Sequence, residues 1–194
     1  HIYDVWTHTA EAVSKTPADV ILRLTMLLHD LGKPHTYTVD EKGQGHFYGH
    51  GNVSVSLAKN ILKRLKVDNK SKERILTLIK YHDANIPAND KGIRRWLNKI
   101  GSENLLALIP IKRADNLAQS PKFSRQDQID ELERAVIKVL EQEQCFSLAQ
   151  LAVKGDDLIK LGIAPGHKIG DILNKLLDKV IEGNLPNDKD ALLK

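Results

Sequence analysis

A single cysteine, Cys145, in 194 residues leaves no partner for an internal disulfide, and that usage fits a reducing cytoplasm. Aromatic residues make up only 5% of the chain. That scarcity argues against a β-sandwich, whose pleated faces draw on Tyr, Phe and Trp. No apolar run approaches the ~20 residues of a membrane span and no signal peptide opens the chain, so no membrane partner is expected. Low-complexity tracts and fixed-period repeats are also lacking. The first residue is His1 rather than Met, and a helical pattern begins at once. The sequence therefore reads as a fragment of something longer.

Apolar residues account for 41% and are mostly Leu, Ile, Val and Ala, a mixture that favours helix. The length allows one domain, or one domain plus a smaller one. Charged residues make up 28%, with a formal net charge of +4. This mild excess permits nucleic acid or a phosphorylated ligand without requiring either.

Helical spacing runs through Val5, Trp6, Ala10, Ala12 and Val13. Thr16-Pro17-Ala18-Asp19 reads as a helix start, with Thr16 as N-cap and Pro17 in the first helical position. That helix is expected to run to Leu31, where Gly32 lets it stop and Pro34 forbids its continuation. A glycine-rich excursion follows over Thr36 to Gly51 and reads as a short hairpin. Amphipathic helices are expected over Asn52 to Leu65, Ser71 to Tyr81, Lys91 to Ile100, Glu103 to Leu117 and Gln126 to Gln144. A last one carries Ile172, Leu173, Leu176, Leu177, Val180 and Ile181. The polar break from Ser120-Pro121 to Ser124 is the candidate domain boundary. It gives one domain over residues 1–119 and a tail over 120–194.

Leu27-Leu28-His29-Asp30-Leu31-Gly32-Lys33 ends an apolar helix in a His-Asp pair, followed by Gly and a cation. An imidazole nitrogen beside a carboxylate oxygen suits a divalent metal such as Mn, Fe, Ni, Zn or Mg. The alternative is a buried His-Asp hydrogen bond with a glycine cap, and for an isolated dipeptide that is the default. The other histidines change the balance. There are eight in all. His8 lies in the first helix, His50 precedes a helix and His82 ends one. Asp115 lies four residues after Ile111 in an apolar helix and so points inward. A carboxylate there is costly to bury without a partner or a metal. His35 is a candidate neighbour of the cluster, while His46 and His167 read as surface or loop residues.

The order His8, His29-Asp30, Asp115 on successive helices resembles the HD superfamily of metal-dependent phosphohydrolases. His50 and His82 resemble the subset with a second metal position. Asp4-Val5-Trp6-Thr7-His8-Thr9, Phe47-Tyr48-Gly49-His50, Lys80-Tyr81-His82-Asp83 and Arg113-Ala114-Asp115-Asn116 are similar to the C-terminal HD part of bacterial tRNA nucleotidyltransferases. These are the CCA-adding enzymes and their poly(A) polymerase relatives. Lys154-Gly155-Asp156-Asp157-Leu158 and Ile163 to Gly170 resemble the tail of that family. The nucleotidyltransferase head, with its Gly-Ser motif and paired metal-binding aspartates, does not occur in this sequence.

The resemblance implies an all-α HD-domain helical bundle followed by a small helical tail domain. It implies one or two divalent metal ions (Mn, Fe, Ni, Mg or Zn) held by His8, His29, Asp30, His50, His82 and Asp115. Asp30 would bridge, with His29, His50 and His82 on one side and His8 and Asp115 on the other. Asp30 and Lys33 are the expected catalytic residues; Lys33, Lys112 and Arg113 are the expected substrate-binding cations. The expected activity is hydrolysis of phosphoesters or 2′,3′-cyclic phosphates, with a phosphoester or nucleotide as substrate. The expected partner is tRNA or another RNA, met in the tail by Lys154, Lys160, Lys168 and Lys175 near a helix N-terminus. An ordinary turn before a solvated helix is the competing reading of that tail. Two further readings of the whole remain open. One is a non-catalytic RNA-binding region with a vestigial metal site. The other is a stand-alone HD nucleotide phosphohydrolase.

Overall fold

The computed structural model describes residues 4–119, 124–142 and 146–194. Among the described residues the fold is all-α apart from one two-stranded hairpin. The elements are α1 (Val5–Lys15), α2 (Val20–Leu28), α3 (Lys33–Thr36), β1 (Thr38–Val39), β2 (Gly45–His46), α4 (His50–Arg64), α5 (Asn69–Tyr81), α6 (Asp90–Leu117), α7 (Gln126–Glu141), α8 (Gly155–Lys160), α9 (His167–Ile181) and α10 (Lys189–Leu192).

Contacts divide the chain into two compact units: His1–Asn85 with Ser102–Glu133, and Ile86–Gly101 with Arg134–Lys194. The switch at Gly101 has a local cause. Gly101 adopts φ 79°, ψ 163° and breaks the helical path of α6, in a region that side-chain-bearing residues avoid. The polar break expected from Ser120 falls largely on residues 120–123, outside the described residues.

In the first unit, Leu28 of α2, Ala58 and Leu62 of α4, and Ile75, Leu76 and Ile79 of α5 form one buried apolar cluster. Acidic N-caps set the helix starts. Asp4 accepts from Thr7 N, Asp19 from Leu22 N and Asp68 from Ser71 N. The helix start expected at Thr16 is thus three residues early. Thr16 instead donates its hydroxyl to Ala12 O at 2.8 Å and closes α1. A carboxylate at Asp19 satisfies the free amides of α2 in its place.

Helix α2 also ends earlier than expected, at Leu28, with His29 as its C-cap. The chain re-enters helix at Lys33, with Pro34 in the first turn of α3. Gly32 has φ −79°, which any residue can adopt, so it is not a left-handed stop. Its need is steric. A Cβ there would lie 2.3 Å from His50 O and 2.8 Å from Ser54 N. Its amide donates to Ser54 Oγ at 2.8 Å. Hydrogen at this one position lets the turn after His29-Asp30 press against the first turn of α4, where His50 sits.

The second unit has its own core: Leu151, Val153, Leu158, Leu177, Val180, Ile181 and Leu192. Ile169, Ile172, Leu173 and Leu176 pack against it from α9. Within this unit Arg94 donates to Ile181 O at 2.8 Å, and Arg95 pairs with Glu182.

Candidate metal centre

Six of the residues singled out from the sequence meet inside the first unit. His8 comes from α1, His29 and Asp30 from the end of α2, His50 from the first turn of α4, His82 from the end of α5 and Asp115 from α6. His29 and Asp30 are 0% and 1% exposed. His8, His50 and His82 are buried too. Asp115 keeps a side chain that is 20% exposed, which leaves the cluster a polar edge.

Each imidazole is oriented by a backbone carbonyl. His29 Nδ1 donates to Met26 O at 2.6 Å, His50 Nδ1 to Phe47 O at 2.9 Å and His82 Nδ1 to Ile79 O at 2.7 Å. These are all three residues back in sequence, so the helix-end geometry itself supplies the acceptor. His8 Nδ1 donates to Ala118 O at 3.3 Å. A carbonyl only accepts, so each Nδ1 carries a proton and Nε2 faces the cluster, as an acceptor whenever the ring is neutral.

The Nε2 atoms surround Asp30. Its Oδ2 lies 3.1 Å from His29 Nε2 and 3.6 Å from His8 Nε2. Its Oδ1 lies 3.5 Å from His50 Nε2 and 3.8 Å from His82 Nε2. Asp115 Oδ1 closes the other side, 2.9 Å from His8 Nε2 and 3.4 Å from His29 Nε2. His29 is within reach of both sides: it groups with His8 and Asp115, and with Asp30 and His82.

The donor chemistry fits a cation. Two ligands about 2.1 Å from one ion are separated by about 3.0–3.4 Å, depending on geometry. The distances above bracket that range. Among the described residues, His29 Nε2 and both Asp30 carboxylate oxygens are buried without a hydrogen bond. His50 Nε2 and His82 Nε2 face each other at 3.1 Å, an arrangement of two acceptors that needs a proton or a shared cation between them. Buried polar atoms are normally satisfied, so atoms without hydrogen bonds gathered at one point are where a water or an ion could bind.

The charges reinforce one another. Burial opposes a charge on His29, but Asp115 and Asp30 outweigh it and raise this imidazole to about 9. Burial likewise opposes ionisation of Asp30 and Asp115, yet the adjoining imidazoles hold both below the usual carboxylate range. His82 is pushed down to about 4, first by burial and then by repulsion from His29. Low proton affinity there keeps the nitrogen available as a donor to a cation.

The three expected cations behave differently. Lys33 Nζ lies 2.6 Å from Asp30 Oδ2 and 5.6 Å from the centre of the Phe47 ring. It stands at the edge of the cluster. Lys112 instead donates to His82 O at 2.9 Å and Ala84 O at 2.6 Å, closing the end of α5, and burial lowers it to about 8. Arg113 is held by Asp130 at 2.6 Å and Glu133 at 2.8 Å on α7. In the second unit Lys154 donates to Ala149 O at 2.7 Å, while Lys160, Lys168 and Lys175 are exposed. His46 pairs with Asp40 at 2.9 Å in the hairpin.

Asp83 was missed. Its Oδ2 lies 3.8 Å from His50 Nε2, and His50, His82 and Asp83 form a third possible ligand group. The other two are His8–His29–Asp115 and His29–Asp30–His82. The available signal was its place directly after His82.

Comparison with known proteins bears on these groups. A family model described as tRNA nucleotidyltransferase domain 2 matches residues 49–194. The chain is 31% identical to an A-adding tRNA nucleotidyltransferase of Deinococcus radiodurans, over 98% of its own length and 46% of the relative's. It is 28% identical to a CC-adding tRNA nucleotidyltransferase of Thermus thermophilus, over 98% and 44%. A segment covering 23% of the chain is 49% identical to part of a CCA-adding enzyme of Limosilactobacillus fermentum, 11% of that protein. The chain thus spans a little under half the length of the two relatives that match it throughout. No solved structure matches it. No described helix is long and apolar enough to cross a membrane. The family match takes in His50, His82 and Asp115, and the two long relatives extend it over the segment bearing His8 and His29-Asp30: the chain belongs to the tRNA nucleotidyltransferase domain 2 family.

Proposed function

We propose that the first unit is a metal-dependent phosphohydrolase domain of the HD type, working in the cytoplasm as part of a tRNA-processing enzyme. Its substrate is a phosphoester or nucleotide, with 2′,3′-cyclic phosphates at RNA ends as the leading candidates. One observation supports this most: imidazoles oriented by carbonyls gather their Nε2 atoms around Asp30, where His29 Nε2 and both Asp30 oxygens are buried without a hydrogen bond. His8, His29 and Asp115 would hold one ion and His50 and His82 another, with Asp30 shared between them. Bound there, a divalent ion supplies a hydroxide at neutral pH and screens the charge of the phosphoryl oxygens.

The protein groups do the rest. Nδ1 donors to Met26, Phe47 and Ile79 carbonyls fix the rings and their tautomers before substrate arrives. Lys33 sits beside Asp30 and offers a cation to a phosphoryl oxygen as charge builds there. Burial of His29 and Asp30 keeps water from weakening these interactions. The exposed Lys160, Lys168 and Lys175, with Lys154 close by, serve tRNA backbone binding in the tail.

A second reading keeps the fold and drops the chemistry. Lys33 lies 2.6 Å from Asp30, and a lysine that neutralises this carboxylate permanently would leave a vestigial site in an RNA-binding region. One assay separates the readings. Hydrolysis of 2′,3′-cyclic AMP and of glycerol 2-phosphate is measured with Mn, Ni, Mg and Zn, in the native chain and in Asp30→Ala. The account predicts metal-dependent turnover that falls at least about a hundredfold in the variant while helical content is kept. Full activity in Asp30→Ala removes the metal mechanism. Inactivity of the native chain with every metal, together with retained tRNA binding, favours the second reading.

A further inference from the structure

The hairpin between α3 and α4 carries aromatic rings that neither core absorbs. Tyr37 is 58% exposed and Tyr48 is 75% exposed. Exposed rings of this size close together offer a flat apolar surface to a ligand. They are not loosely placed. Tyr37 lies over Gly45, where a Cβ would be 2.6 Å from its ring, and packs against Phe47 with centroids 5.4 Å apart. Tyr48 stacks on His46 at 5.0 Å with only 11° between the planes. That imidazole is fixed in turn by Asp40, whose carboxylate lies 2.9 Å from Nε2.

This rim adjoins the candidate metal centre on two counts. Lys33 Nζ lies 2.6 Å from the Asp30 carboxylate and 5.6 Å from the centre of the Phe47 ring. Tyr48 precedes His50 by two residues, so the two Cα atoms are at most about 7 Å apart. A cation that could meet phosphate lies 5.6 Å from the Phe47 ring, and the exposed Tyr48 follows Phe47 directly in the chain, so phosphate and base could be met by neighbouring residues.

We infer that Tyr48, backed by His46, stacks on the nucleobase carried by the same ribose as the ester being hydrolysed. The inference rests on the phosphohydrolase reading and gives it a substrate class: nucleotide esters preferred over base-less ones. Stacking supplies affinity without reading the base through hydrogen bonds, so purines and pyrimidines both qualify and purines bind better.

The test compares Tyr48→Ala and Tyr48→Trp with the native chain. Three esters are used: 2′,3′-cyclic AMP, glycerol 2-phosphate and a trinucleotide ending in a 2′,3′-cyclic phosphate. Tyr48→Ala is expected to raise KM for both nucleotide esters about tenfold, leave kcat within about twofold and leave glycerol 2-phosphate unchanged. Tyr48→Trp is expected to restore the native KM. An equal KM rise for glycerol 2-phosphate overturns the inference, as does an effect on the trinucleotide alone. Calorimetric titration with adenosine 5′-monophosphate reads the stacking without turnover. If no ester is hydrolysed, a tenfold weaker Kd in Tyr48→Ala sustains the stacking while the phosphohydrolase reading fails. An unchanged Kd overturns the stacking itself.

Discussion

The two units bury polarity in opposite ways. Among the described residues, the buried polar side chains of the first unit are His8, Thr9, Thr16, Thr25, His29, Asp30, His50, Ser54, His82 and Asn116, while the second unit has only Asp157. That one is closed by its neighbours: Lys189 Nζ lies 2.7 Å from Oδ1, and Lys154 N donates to Oδ2 at 2.9 Å. Nothing remains to be added. In the first unit the threonines and Ser54 are similarly closed, for example by Thr25 donating to Ile21 O, but the imidazole cluster is left with orphan atoms. A polar group buried for stability completes its own hydrogen bonds. A group buried for binding keeps a valence open. Asp30 also has a lysine, with Lys33 Nζ 2.6 Å from Oδ2, so what sets it apart from Asp157 is the set of imidazole Nε2 atoms gathered around its carboxylate.

Two substitutions sharpen that contrast. The larger effect on stability belongs to the second unit. Leu177 is 3% exposed inside its apolar cluster, and Leu177→Ala is expected to cost about 2–5 kcal/mol of unfolding free energy. Denaturant melts followed by circular dichroism check this, and a Mn titration of the same variant is expected to match the native chain. A large loss of metal affinity would erase the division of labour between the units. Gly32→Ala should do the reverse. A methyl 2.3 Å from His50 O must push the α2–α3 turn from α4, at a cost of about 1–3 kcal/mol. Because His50 and Asp30 move apart, Mn affinity is expected to fall by about tenfold to a hundredfold. Unchanged affinity would show that the close approach serves packing only.

Much of this was legible in the sequence. Helical spacing placed Asp115 inward four residues after Ile111, and it does meet His8 and His29. Histidines at helix ends pointed to one locus because a helix end is where a side chain can leave its own cylinder. The hairpin was legible from its glycines and pairs Thr38 with His46. What was not legible depends on contacts between distant segments. Gly32 read as a helix stop, whereas its role is set by His50 O, eighteen residues on. Nothing local shows that Lys112 meets the His82 and Ala84 carbonyls or that Arg113 meets Asp130 and Glu133. The break in α6 at Gly101 was not legible either, since the surrounding Lys91–Leu117 pattern is helical on both sides of it.

The claim beneath all of this is that the open valences around Asp30 are filled by a divalent cation. Elemental analysis of protein purified without chelator tests it most directly, with Asp30→Ala prepared in parallel. The account predicts one or two divalent ions per native chain, and none in the variant. A native chain with no metal that also fails to bind Mn, Ni or Zn in titration would contradict it.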